Sequence, residues 1–172
     1  MIILVSACLL GIACKWDGGD NGLEQVRGLV KDHVVIAVCP EQQGGLPTPR
    51  CPSEIREGRV VNRLGEDVDG AFRLGSDRIM DMLHQVPIDL AVLKARSPSC
   101  GIGKIYDGSF TGKLTDGDGI FAQRLKAAGI PVITEEELVQ MLSEGDSYDP
   151  ESTIKDVQRR LKEGMGRSPA PS

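Results

Sequence analysis

Three cysteines far apart in the chain share one setting. Cys8 in VSACLLG, Cys39 in IAVCPE and Cys100 in SPSCG each stand at or just past the end of an apolar run. A buried thiol packs as a small hydrophobe, whereas a thiolate is a nucleophile and a soft metal ligand. If the apolar runs are neighbouring parallel strands, their carboxyl ends gather the three thiols at one edge of a sheet, where α/β proteins bind ligands. With a fourth ligand three thiolates suit zinc, but structural zinc sites usually carry a local C-x₂₋₄-C pair, and this chain has none. An iron–sulfur cluster accepts cysteines from scattered positions. Held by only three, a cubane leaves one iron open as a Lewis acid with affinity for soft sulfur. Buried or redox-active thiols are the competing reading.

The elements that position these thiols follow from hydrophobic patterning. IILVSACLL, HVVIAVCP and PIDLAVLK are short continuous apolar runs, as expected of strands buried on both faces, and PVIT is a fourth strand. Between them, LEQVRGLVKD places Leu23, Val26, Leu29 and Val30 at helical spacing. Val68, Phe72, Ile79, Met82, Leu83 and Val86 mark a long amphipathic helix. A further helix carries Phe121 and Leu125 and stops at Gly129, and EEELVQMLSE begins with acids that suit a helix start. Residues 41–58, rich in Gly and Pro, are expected to hold little regular structure, followed by a small edge strand at RVVN. Strands alternating with helices predict one α/β domain over residues 1–144, a mostly parallel, Rossmann-like open sheet flanked by helices. Residues 145–172 read as a tail, one exposed helix and then a disordered end.

Composition bounds the function. No apolar run reaches the roughly 18 residues that span a bilayer. The apolar start MIILVSACLLGIAC lacks a positively charged leader and reads as a first strand. Five cysteines, an odd number, without a secretory signal point to a reducing, cytoplasmic compartment. A net charge of -5 argues against free nucleic acid as the main partner and leaves a small ligand open. No G-x-G-x-x-G follows a strand and no G-x-x-x-x-G-K-[ST] is present, so no nucleotide cofactor is called for.

Several polar residues flank the thiols. Glu41, two past Cys39, is either a solvated loop carboxylate or a general base beside a cluster. Ser97 either caps the turn before Pro98 or, with Cys100 as a ligand, faces a substrate; Ser99 is equally polar and equally near. GGLPTPR forms a rigid turn or a pocket wall, in which Arg50 pairs Glu54 or an anionic substrate group. GIGKIYDGSFTG has glycines that permit close backbone approach over a ligand, with Lys104 and Tyr106 as contacts. His33 and His84 lie outside the cysteine motifs and read as structural.

The segments SACLLGIACKWDG, VCPEQQGGLPTPRCPSEI, LKARSPSCGIGKIYDGSFTG and GDGIFAQRLKAAGIPVITEEE occur in this order from Met1 to about Leu142. Together they resemble the thiouracil desulfidase family, long known as a bacterial domain of unknown function. The resemblance implies a [4Fe-4S] cluster held by three cysteines, with an open iron that receives sulfur from a thiolated uracil, and no net redox change. Matched motif by motif, the ligands are Cys8, Cys39 and Cys100, with Cys14 the chief alternative. Glu41 matches the catalytic acid/base and Ser97 the active-site serine. Cys51 has no counterpart role, and KWDG stands where Arg-Tyr is expected. The substrate is a small thiolated pyrimidine, free base or nucleotide, with thiolated RNA less favoured by the charge. A non-enzymatic metal or cluster carrier and a thiol-redox protein are the rival functions; Glu41 and Ser97 favour the enzyme.

Overall fold

The computed structural model describes residues 1–143 and the single positions 155, 159 and 163. Apart from those three positions, the tail helix and disordered end expected for residues 145–172 lie outside the described residues. In chain order the elements are β1 (Ile2–Ser6), α1 (Glu24–Gly28), β2 (Val34–Val38), α2 (Pro40–Gln43), β3 (Ser53–Arg56), β4 (Arg59–Asn62), α3 (Asp69–Leu83) and β5 (Leu90–Leu93). They continue with β6 (Lys104–Tyr106), β7 (Leu114–Asp116), α4 (Ile120–Ala127), β8 (Val132–Thr134) and α5 (Glu135–Ser143).

The four strands read from apolar runs make one parallel sheet in the order β2-β1-β5-β8. Strand side chains alternate faces, so each strand feeds two cores. Ile3, Val5, Leu90, Val92 and Ile133 point to the face covered by Val26 of α1, Leu29 of the turn that follows it, and Leu138 of α5. Leu4, Ala91, Leu93 and Val132 point to the opposite face, against Ile79 and Leu83 of α3 and Phe121 and Leu125 of α4. The chain leaves β1 to one side through α1 and returns to its other side through α3, so the strand order reverses between β1 and β5. That reversal opens a crevice at their carboxyl ends.

The structure corrects four local expectations. β1 ends at Ser6, so the last part of the apolar run, Ala7–Leu10, is a 3₁₀ turn rather than strand, and Cys8 lies just past the strand end. β2 is not buried on both faces: it lies at the sheet edge, with Val34 and Ala37 exposed. Residues 41–58 are more regular than their Gly and Pro content suggests. Pro40 starts a helix at its first turn, where the missing N–H costs nothing, and Ser53–Arg56 pairs with β4 as an antiparallel hairpin. A second hairpin, β6–β7, was not expected; its strands are only three residues long and β7 is exposed throughout.

A small third core of Val60, Phe72 and Ile120 joins the β3–β4 hairpin to α3 and α4. Beside it, α2 packs directly on α3. Gly75 permits this, because a Cβ there would overlap the Pro40 carbonyl oxygen. Among the described residues no helix is long and apolar enough to cross a membrane.

Candidate active site

A cavity of about 460 Å³ opens at the carboxyl ends of β1, β2 and β5. Cys8, Cys14, Cys39 and Cys100 all line it, whereas Cys51 does not. Each thiol arrives by a different device. Cys8 follows β1 in the 3₁₀ turn, and its carbonyl oxygen accepts the Asn21 N–H at 2.9 Å, which folds the 11–21 loop back over it. Cys39 is the extended residue just before α2, and its carbonyl accepts the Gln43 N–H at 3.0 Å.

Cys100 sits in SPSCG, a loop that looks flexible in sequence but is tied down. Ser97 Oγ accepts the N–H groups of Ser99 and Cys100, both at 3.1 Å. The carbonyls of Pro98 and Ser99 accept the N–H groups of Ile120 and Phe121 at 2.9 and 2.8 Å. Those amides are the otherwise unsatisfied first turn of α4, so the loop caps the helix with its own backbone.

The thiols feel one another. Cys14 lies against the thiols of Cys39 and Cys8, and hydrogen bonding to them, with burial, pushes its pKa strongly up, so that it keeps its proton. The same bond draws the Cys39 thiol down to about 7 against the cost of burial, helped by the Gln42 N–H. Cys8 is lowered by its bond to Cys14, again opposed by burial. Cys100, fully enclosed, is pushed up to about 12 by burial, with Ser6 and Ser99 opposing. Cys14 is thus the link between Cys8 and Cys39, while Cys100 approaches through hydroxyl neighbours. Among the described residues no three His, Cys, Asp or Glu side chains converge on a single ion position.

Glu41 enters the same cavity from the first turn of α2. Arg50 Nε donates to its Oε2 at 2.6 Å, and Ser99 Oγ donates to its Oε1 at 3.0 Å. Arg50 is almost enclosed, 6% exposed in its side chain, and also donates to the carbonyls of Cys14 at 2.9 Å and Pro47 at 3.2 Å. One guanidinium therefore ties together Glu41 and the segments around Cys14 and Pro47.

Of the other residues expected at the site, Tyr106 lines the cavity. Lys104 does not: it lies on the open side of β6, where its ammonium pairs with Asp116 at 2.7 Å in solvent. The expected pairing of Arg50 with Glu54 is also corrected, since Arg50 takes Glu41 instead. Glu54 Oε2 accepts the N–H groups of Gly108 and Phe110 at 2.9 and 3.0 Å. Ser97 and Ser99 both line the cavity, their hydroxyls 2.9 Å apart, but it is Ser99 that contacts Glu41. His33 and His84 do not line it.

Sequence reasoning missed Trp16, Arg63, Lys94 and Phe110, all in the cavity wall. Trp16 and Phe110 are aromatic in a chain with only 3% aromatic residues, and that scarcity was a usable signal. Arg63 and Lys94 carried none, because only tertiary folding brings them to the cavity.

The fold and site match known proteins. The chain is 39% identical over 151 residues to the uncharacterized protein YbbK of Bacillus subtilis (strain 168), spanning 82% of this chain and all of that one. A solved structure titled [4Fe-4S]-dependent thiouracil desulfidase TudS superposes with a TM-score of 0.74 at 39% identity, over 83% of this chain and 98% of the other. Residues 3–137 match the family model for 2-thiouracil desulfurase, nearly the whole described domain. This chain therefore belongs to the 2-thiouracil desulfurase family.

Proposed function

We propose that this chain is a [4Fe-4S]-dependent desulfidase that replaces the thiocarbonyl sulfur of a small thiolated uracil by oxygen. The observation that carries the reading is Glu41, gripped on both carboxylate oxygens inside a cavity lined by cysteine thiols. The donor set fits such a cluster: the soft, free thiols of Cys8, Cys14, Cys39 and Cys100 line the same cavity. Cys8, Cys39 and Cys100 would hold the cluster, with Cys14, which lines the same cavity, as the rival ligand. When bound with three protein ligands, the cluster supplies an open, Lewis-acidic iron with affinity for soft sulfur.

The chain's own residues do the rest. Glu41 takes a proton from a water placed between it and the thiocarbonyl carbon, so that oxygen attacks that carbon. Arg50 and Ser99 fix the carboxylate's direction, which places the base without motion at the moment of reaction. One water is consumed: a C–O bond forms, the C–S bond breaks, and sulfur leaves as hydrosulfide with one proton released. Carbon and sulfur keep their oxidation states, so no external electron donor is needed. A cluster carrier has no use for an arginine-held carboxylate, and neither does a thiol switch. Cluster and free thiols alike suit a reducing cytoplasm.

Anaerobic purification tests the reading. Brown protein carrying about four irons and four acid-labile sulfides per chain, and releasing sulfide from thiouracil, supports it. Protein that stays colourless after reconstitution with iron and sulfide overturns it. Glu41→Gln is expected to keep the iron content and lose sulfide release.

A further inference from the structure

The β6–β7 hairpin has almost no core of its own, yet its tip is held at the cavity by side chains of β3. Glu54, 8% exposed, spends one carboxylate oxygen on the N–H groups of Gly108 and Phe110. Arg56 donates through Nε at 3.0 Å and Nη2 at 2.5 Å to the Gly108 carbonyl. The approach is so close that a Cβ on Gly108, at φ +86°, would lie 2.6 Å from Arg56 Cβ. Two residues on, Phe110 holds φ +57°, an uncommon conformation for a bulky residue and one that persists only where its surroundings impose it.

This strain does not serve packing. Phe110 belongs to none of the three apolar clusters and is only half-buried. Its ring stands in the cavity wall, and the Arg63 guanidinium lies over it, 5.8 Å from the ring centre. An aromatic ring held in place through its backbone and lining a cavity suits a flat heterocycle, because stacking needs only a π-face and no hydrogen-bond pattern.

We propose that Phe110 is the substrate-positioning wall of this site, its ring stacking on the thiopyrimidine, and that Glu54 positions it by clamping the hairpin tip to β3. The inference rests on the desulfidase reading and adds to it the residue that orients the base. Glu54 acts through Phe110 and is a positioning residue.

The test compares Phe110→Ala, Phe110→Leu and Phe110→Trp, each with its iron content measured. Loss of stacking raises KM for thiouracil by about ten- to a hundredfold in the alanine and leucine variants, with kcat within about threefold and iron unchanged. Tryptophan restores the wild-type KM. Product binding gives a reading free of catalysis, since Trp16 is the single tryptophan and lines the cavity. Uracil quenches its fluorescence in wild type and requires correspondingly higher concentrations in the alanine and leucine variants. Glu54→Gln shifts KM the same way, and adding it to Phe110→Ala produces little further change. If Phe110→Leu matches wild type in KM and uracil binding, the ring merely fills space and the stacking role is overturned. That result leaves the desulfidase reading intact. Cluster-loaded wild type that releases no sulfide overturns both.

Discussion

Ser99, 58 positions beyond Glu41, donates its hydroxyl to Glu41 Oε1 at 3.0 Å and stands 3.7 Å from the sulfur of Cys100, so one side chain joins carboxylate and thiol. Ser97 sits one hydrogen bond further back, accepting the amides of Ser99 and Cys100. The two serines therefore fail differently. Ser99→Ala frees Glu41 to rotate and is expected to lower kcat for sulfide release about 10- to 100-fold with iron content kept. Ser97→Ala loosens the loop itself, and a thermal melt shows a loss of about 1 kcal/mol together with faster release of iron.

Arg50 joins Glu41 to the Cys14 and Pro47 carbonyls through one planar fork. A lysine carries the same charge as a compact ammonium and lacks the rigid planar fork that reaches these separated acceptors. Arg50→Lys is expected to cost about 2 kcal/mol in denaturant unfolding and at least about tenfold in kcat, even though a positive charge remains.

The cysteines sort by cluster absorbance after anaerobic reconstitution. Cys8→Ser, Cys39→Ser and Cys100→Ser are each expected to bleach the protein, and Cys51→Ser to leave it unchanged. Cys14→Ser decides the open point: retained colour assigns Cys14 to hydrogen bonding beside the ligands, and bleaching makes it a ligand.

Gly75→Ala probes the seat of α2. The added methyl meets the Pro40 carbonyl, a backbone atom that cannot step aside. The variant is expected to unfold about 1–3 kcal/mol more easily, and to lose kcat more than KM, because α2 carries Glu41. Calorimetry and steady-state kinetics on one preparation separate the two effects.

The sheet was legible because its strands are apolar runs bounded by breakers, and β1, β5 and β8 appear where Ile3–Val5, Leu90–Leu93 and Val132–Thr134 mark them. The same rule misjudged β2, since VVIAV reads as doubly buried and only its place in the order exposes Val34. The thiols were legible through their common place at strand ends. Glu41 stood out by adjacency to Cys39. Its partners were not legible: Arg50 was expected to pair Glu54 or a substrate anion, and only the tertiary fold brings it to Glu41. Lys104 and Phe110 belong to one hairpin that sequence did not reveal. Without the hairpin register, nothing distinguished the open side of β6 from its cavity end.

The reversal of strand order between β1 and β5 has a consequence for synthesis of the chain. Cys8 emerges first, but its neighbour across the crevice, Cys100, arrives only after β5 has been made and has paired with β1. No shorter N-terminal piece presents the complete wall of thiols, and no local pair offers an early foothold for metal. Filling the site is then a late event that reports a finished sheet, so a truncated or misregistered chain would be marked by its lack of colour.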